Sequence, residues 1–187
     1  SKSIDPIEEF KEQRERYIKE LSKNKEVIEE IRNDFEHKTA KYHYSYNFNW
    51  MGRPIIQYPQ DILAMQEIIW EVKPDIIIET GVAHGGSLIF YASILELIGN
   101  GEVLGIDIDL REHNHKLIKE HPTSKRINLI EGSSISNEVI SEVKRYIKRK
   151  KRVIVCLDSN HTHKHVLKEL ELYSPMVTKE SYLIVFD

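Results

Sequence analysis

Apolar residues at Ile7, Phe10, Tyr17, Ile18, Leu21, Val27, Ile28, Ile31 and Phe35 recur at three- and four-residue steps, with charges filling the positions between. That spacing predicts helix over residues 6–35 with one narrow apolar stripe. Asp5-Pro6 supplies a cap followed by proline at the first helical position. Ser22-Lys23-Asn24 interrupts the stripe, so the segment reads as two helices or one kinked helix. A stripe this narrow packs on a domain surface or on a partner chain. The pattern then changes period: Tyr42, Tyr44, Tyr46, Phe48 and Trp50 fall on alternate positions, which predicts an extended segment with one apolar face. Gly52, Pro54 and Pro59 punctuate the residues after Trp50, and the whole stretch reads as a packed linker or as a lid over a pocket.

From Asp61 the alternation of elements is regular. Helices are predicted over 61–72, 87–98, 111–120, 137–149 and 163–173, and short apolar strands over 75–79, 103–106, 127–130, 153–157 and 182–186. Strands alternating with helices predict an α/β fold with a doubly wound, mostly parallel sheet. Their unbroken apolar runs fit a sheet covered on both faces. Three parts result: a helical segment (1–41), an aromatic linker or lid (42–60) and an α/β domain (61–187). The sequence stops with the fifth strand, at what would be an unpaired apolar edge, so further C-terminal strands are expected beyond Asp187.

Composition narrows the function. With 27 Lys+Arg against 30 Asp+Glu the charges nearly cancel, which argues against a chain-wide field for nucleic acid. No apolar run approaches the roughly 20 residues of a membrane span, and the charged first ten residues lack the apolar stretch of a secretory signal. The lone Cys156 excludes an internal disulfide. The expected setting is the cytoplasm. The basic run from Lys144 to Arg152 reads as a solvated helix end on the face away from the strand exits.

The strand exits carry the candidate chemistry: Glu79; Asp107 with Asp109; Ser133 with Ser134; Asp158; Asp187. Ligands of open parallel sheets bind at these carboxyl ends, although Asp and Ser there also serve as helix caps. The first turn, Glu79-Thr80-Gly81-Val82-Ala83-His84-Gly85-Gly86-Ser87, lacks the Gly-Lys-Ser/Thr ending of a P-loop. Ala83 stands where a dinucleotide fingerprint needs its second glycine. A ligand with an amine, a carboxylate and a ribose, but no phosphate, fits better. Glu79 would take the amine, the turn and helix N-terminus the carboxylate. Asp107, about 20 positions past Gly86, would take the ribose hydroxyls. That set of groups describes S-adenosylmethionine.

The same residues, taken with Gly105-Ile106-Asp107-Ile108-Asp109, Leu157-Asp158-Ser159-Asn160-His161 and Ser181-Tyr182-Leu183-Ile184-Val185-Phe186-Asp187, resemble the cephalosporin hydroxylase family over roughly residues 48–187. That family is built on the class I S-adenosylmethionine methyltransferase fold and includes rhamnosyl-type sugar O-methyltransferases. The resemblance implies a cofactor site at Glu79, Gly81, His84, Gly85, Ser87, Asp107, Ser133 and Asp158. It also implies a divalent metal, usually Mg²⁺, on Asp158 and Asp187. Asn160 stands where many relatives have Asp, and Phe186 where some have Glu.

In related metal-dependent methyltransferases of the catechol type a lysine base lies three residues past the acid. That position is His161 here, which makes it the candidate general base; a capping role is the alternative. A zinc pair of His161 with His165 lacks a third ligand. His163 and His165 read as solvated helix residues, and His113 and His115 as surface residues. The expected function is O-methylation of a hydroxyl on a sugar, a glycolipid or polysaccharide unit, or a small metabolite. The aromatic stretch 42–50 and Arg53 either face that acceptor or pack the N-terminal helices onto the sheet. Two other readings stay open. One is a nucleotide-dependent oxidoreductase or hydroxylase on a similar fold. The other is a non-catalytic binding module whose N-terminal helices pair with another chain, including a second copy.

Overall fold

The computed structural model describes residues 5–186, and the chain divides into two compact units, Ser1–Tyr44 and Ser45–Asp187. The first holds α1 (Pro6–Lys23) and α2 (Lys25–Ala40). The Asp5 carboxylate accepts the Ile7 amide at 2.9 Å, with Pro6 opening the helix behind it. Asn24 makes the break. Its amide donates to the Leu21 carbonyl and closes α1, while its side chain accepts the Val27 amide at 3.3 Å and opens α2. No residue of α1 is buried. Within this unit the Tyr44 ring meets Phe35 edge to face at 5.2 Å.

The second unit begins with a departure from the expected extended segment. Tyr44–Tyr46 is a 3-10 turn, and only Phe48–Trp50 (β1) is extended, paired antiparallel with Arg53–Ile55 (β2). Met51 and Gly52 both have positive φ, 46° and 85°, and make the two-residue hairpin loop. Met-Gly is an uncommon sequence for such a loop, so the hairpin is not announced by its turn residues. Phe48 and Trp50 pack against the core. Trp50 lies edge-on to Phe90 at 4.7 Å and donates its indole N–H to Ser93 Oγ at 3.1 Å. Tyr42 and Tyr46 are exposed.

The remaining elements follow the predicted alternation: α3 (Pro59–Val72), β3 (Ile76–Thr80), α4 (Gly86–Ile98), β4 (Glu102–Asp107), α5 (Glu112–Glu120), β5 (Ile127–Glu131), α6 (Asn137–Ile147), β6 (Val153–Leu157), α7 (His163–Tyr173) and β7 (Leu183–Val185). The five strands pair in parallel in the order β5-β4-β3-β6-β7. Alternate residues feed two cores. Ile77 and Cys156 face α3 and α4 with the hairpin; Ile76, Ile78 and Val155 face α6 and α7. Both faces are covered, which is why the strands read as continuous apolar runs.

α3 starts two residues earlier than predicted, at Pro59, because proline suits the first helical position. α6 stops at Ile147, so the basic run leaves the helix and enters the loop before β6. There the Asp75 carboxylate accepts the Lys151 and Arg152 amides at 2.8 and 3.0 Å.

Candidate active site

β3 feeds β4 on one side, and the chain returns from β5 to place β6 on its other side. The exits of β3, β4 and β6 therefore flank the switch point where open α/β sheets hold ligands. Gly81 ends β3 with φ +89°, and a Cβ there would overlap the Asp158 carbonyl. Its amide donates to the Ile106 carbonyl at 2.8 Å, and Asp158 donates its own amide to Thr80 O at 2.9 Å. Glycine at this point lets the three exits close on one another. Gly85, φ +80°, is similarly pressed against the Ile118 side chain. These two glycines of the turn serve contacts within the protein.

Asp107 at the β4 exit holds that turn. Its Oδ2 accepts the Val82 and Ala83 amides at 2.7 and 3.2 Å, and Oδ1 accepts the Asp109 amide at 3.1 Å. Two N–H groups expected to meet a ligand carboxylate are thus spent on Asp107. The acid keeps spare acceptor capacity, since an ionised carboxylate has about four lone-pair sites. Helix capping does not account for these exit residues: the α6 cap is Ser136, and α5 and α7 have no side-chain cap from Asp109 or Asp158.

Glu79 sits on the face of β3 toward α4 and is fully buried, at 0% exposure. Ser87 Oγ donates to its Oε1, and Tyr91 donates to its Oε2 at 2.7 Å. Its carboxyl lines none of the three cavities at the strand exits. Burial, reinforced by the Asp158 charge, pushes it from the ordinary 4.5 up to about 8. A carboxyl raised on folding binds its proton more tightly in the folded state. Its contribution is therefore intact below about 4.5 and is lost as pH climbs toward 8. We predict that the urea-unfolding free energy is lower at pH 8 than at pH 5 by on the order of a few kcal/mol. Glu79→Gln should remove most of that slope and stabilise the fold at pH 8. An unchanged slope in the variant would discount Glu79 as its source.

Asp158, at the β6 exit, is half-buried. Its Oδ2 accepts the Gln57 side-chain Nε2–H at 3.2 Å, and Oδ1 lies 3.9 Å from His161 Nε2. Burial raises its carboxyl to about 6, with His161 and Gln57 pulling the other way. Two cavities share His161 as a lining residue. One, of about 480 Å³, is lined by Gly81, Asp107, Ser133, Ser134 and Ser159 and reaches His161. The other, of about 410 Å³, is lined by Tyr46, Gln57, Asp61, Met65, Asp158 and again His161. A smaller hollow of about 240 Å³ shares Asp107, Asp158 and His161 and adds His84 and Ser87.

Arg53 and His165 depart from expectation. The Arg53 guanidinium is buried, donating twice to the His84 carbonyl, at 3.0 and 2.6 Å, and once to Asn114 Oδ1 at 2.9 Å. It braces the turn and does not face an acceptor. His165 lines the 480 Å³ cavity and lies 3.4 Å from the buried Glu169 carboxylate, whereas His163 is exposed as predicted. Sequence reasoning passes over Gln57, Ser159 and Glu169. The only available signal is the four-residue step from His165 to Glu169 on one helix face.

Of the two expected metal ligands, Asp158 lies at the β6 exit. Asp187 lies outside the described residues, and among the described residues no group of three His, Cys, Asp or Glu could hold an ion. Mg²⁺ prefers octahedral oxygen but keeps several waters, and one or two carboxylates commonly hold it.

A five-stranded parallel sheet in this order, with acids at the exits around its switch point, defines a Rossmann-like domain of the class I methyltransferase type. The chain belongs to the Rhamnosyl O-methyltransferase/CmcI family, whose model matches residues 42–187. Among curated proteins it is 32% identical over 140 residues to a rhamnosyl O-methyltransferase of Mycobacterium leprae, covering 74% of this chain and 59% of that protein. It is 30% identical over 143 residues to the Mycobacterium tuberculosis protein of the same name, covering 74% of this chain and 56% of that one. The chain thus spans less than two thirds of these relatives. Among solved structures, CmcI with SAH aligns with TM-score 0.56 at 22% identity, covering 75% of this chain and 66% of that chain. CmcI with Mg and SAM aligns with TM-score 0.53 at 20% identity, covering 76% and 58%. At that identity the structures speak to the fold. Among the described residues no helix is long and apolar enough to cross a membrane.

Proposed function

We propose that this chain carries the donor site and catalytic pair of an S-adenosylmethionine-dependent O-methyltransferase that acts on a hydroxyl of a sugar or sugar-bearing lipid or polymer. The observation that carries the reading is the Asp158–His161 pair, 3.9 Å apart, with His161 lining both the 480 and the 410 Å³ cavity at the strand exits. The 480 Å³ cavity suits the donor's nucleoside, with Asp107 toward the ribose and Ser133 beside it. The 410 Å³ cavity, apolar-floored by Met65 and rimmed by Gln57 and Asp61, suits the acceptor. The names of the curated relatives support a sugar acceptor.

S-adenosylmethionine supplies an electrophilic methyl group on a sulfonium sulfur. An alcohol is scarcely ionised at neutral pH, so its proton must leave as the oxygen–carbon bond forms and the sulfur–carbon bond breaks. His161 takes that proton. Asp158, ionised above about pH 6, faces the imidazolium that results. Buried Glu79 holds Ser87 and Tyr91 behind the turn; reaching the donor's amine would require the Ser87 contact to open.

Calorimetry of the full-length protein with S-adenosylmethionine and S-adenosylhomocysteine tests the reading. Binding of both is expected. An absence of heat up to millimolar ligand would sink it. A non-catalytic module would bind neither, yet nothing in such a module requires an acid–imidazole pair whose histidine lines two cavities.

A further inference from the structure

β5 and β6 are not neighbours, since β4 and β3 stand between them. At about 4.8 Å per strand their axes lie about 14 Å apart. Yet the residues that leave them converge on one atom. Ser134, after β5, donates its hydroxyl to Glu169 Oε1 at 2.5 Å, and Ser159, after β6, donates to the same oxygen at 2.7 Å. His165 Nε2 lies 3.4 Å from that oxygen and 3.3 and 3.2 Å from the two serine hydroxyls. One turn further along α7, Tyr173 donates its hydroxyl to the Ser134 carbonyl at 2.8 Å. His165, Glu169 and Tyr173 therefore form a ladder at four-residue steps on one helix face.

Glu169 is fully buried, at 0% exposure, and its Oε2 has no partner among the described residues. Its hydrogen bonds come from neutral hydroxyls, with the His165 ring beside them. Burying a carboxylate without a strong cationic partner is costly. The three groups gathered at its other oxygen show what the carboxylate does in return: it draws two distant strand exits together. Ser134, Ser159 and His165 also line the 480 Å³ cavity, so the contact forms part of that cavity's wall.

We propose that Glu169 is a positioning residue that ties the β5 and β6 exits across the sheet and thereby sets the width of the nucleoside pocket. The inference rests on the proposed function, in which this cavity holds the adenosine half of the donor. It assigns α7 a part in donor affinity and none in the methyl-transfer step.

The test uses Glu169→Ala, Glu169→Gln and Ser159→Ala in the full-length protein, with S-adenosylhomocysteine and adenosine as calorimetric probes. Glu169→Ala should weaken both probes by about tenfold or more, by the same factor, since the loss lies in the half they share. Glu169→Gln keeps an acceptor oxygen and should recover most of that affinity. Ser159→Ala should lose about threefold or more, because one of the two ties is gone. In the Glu169→Ala variant, methyl transfer at saturating donor should stay close to wild type while the donor KM rises.

Wild-type affinity in Glu169→Ala overturns the proposal. So do equal losses in the alanine and glutamine variants, or a rate at saturating donor that falls in step with affinity. If Glu169→Ala does not fold, Ser159→Ala decides, and unchanged affinity there counts against the tie. Failure of the wild-type protein to bind either probe overturns the proposed function, whereas binding that ignores α7 overturns only this inference.

Discussion

His161→Ala is expected to lower methyl transfer about 10²–10⁴-fold while leaving S-adenosylhomocysteine binding within a few-fold of wild type. The split follows from position. His161 precedes α7, lies outside the paired strands, lines the 480 and 410 Å³ cavities and stands 3.9 Å from Asp158. Removing it takes away the proton acceptor and leaves the donor cavity's walls in place. His161→Gln should be equally slow, because an amide can hydrogen-bond the hydroxyl but cannot take its proton. The measurement is release of S-adenosylhomocysteine with a rhamnosyl glycoside as acceptor, beside calorimetry of the product. A variant that retains full rate would remove His161 as the base. One that loses affinity and rate together would make it a binding residue.

The largest effect on stability is expected at Gly81. Gly81→Ala places a methyl group on the Asp158 carbonyl, and it does so at φ +89°, where side chains are strained. The Asp158 carbonyl is backbone and the direction of a Cβ is fixed by the backbone, so neither can rotate aside. The β3 and β6 exits would have to part, costing about 4 kcal/mol or more, at the upper end for single substitutions. Urea unfolding should show an early transition or no folded baseline. Gly85→Ala is the control: its obstruction is the end of the Ile118 side chain, which can shift, so the loss should be smaller. Equal stability of Gly81→Ala and wild type would mean that the two exits do not depend on this approach.

Much of this site can be read from the sequence because local rules act locally. A strand that ends in Glu, Asp or Ser and turns into a helix announces its exit, and exits of parallel strands share one rim. Asp107, Ser133 and Asp158 fall at that rim by this reasoning alone, while His161 enters only through the resemblance to catechol-type methyltransferases; all four line cavities at the strand exits. Glu79 shows where the reasoning stops. Its position at the end of β3 is evident from the sequence. Its seal under Ser87 and Tyr91 depends on how α4 lies on the sheet, which strand periodicity does not encode.

Arg53 and His165 mislead for a related reason. An isolated arginine near an aromatic run resembles a ligand contact, and a histidine in a polar helix resembles a surface residue. Their partners are remote in sequence: the His84 carbonyl and Asn114 for Arg53, Ser134 for His165. The aromatic segment reads as extended throughout because its alternation runs from Tyr42. A 3-10 turn and a tight hairpin confine the extended part to Phe48–Trp50.

What the sequence determined by itself is the order and kind of the elements from α3 onward, the double cover of the sheet and the acids at its exits. Each follows from hydrophobic period and turn chemistry within about a dozen residues. Only the tertiary structure decided which exits touch, which acid is sealed and which faces a cavity. It also revealed that Glu169 joins two strands that never pair. Those outcomes depend on strand order and helix packing, where residues far apart in the chain meet at distances of a few ångströms.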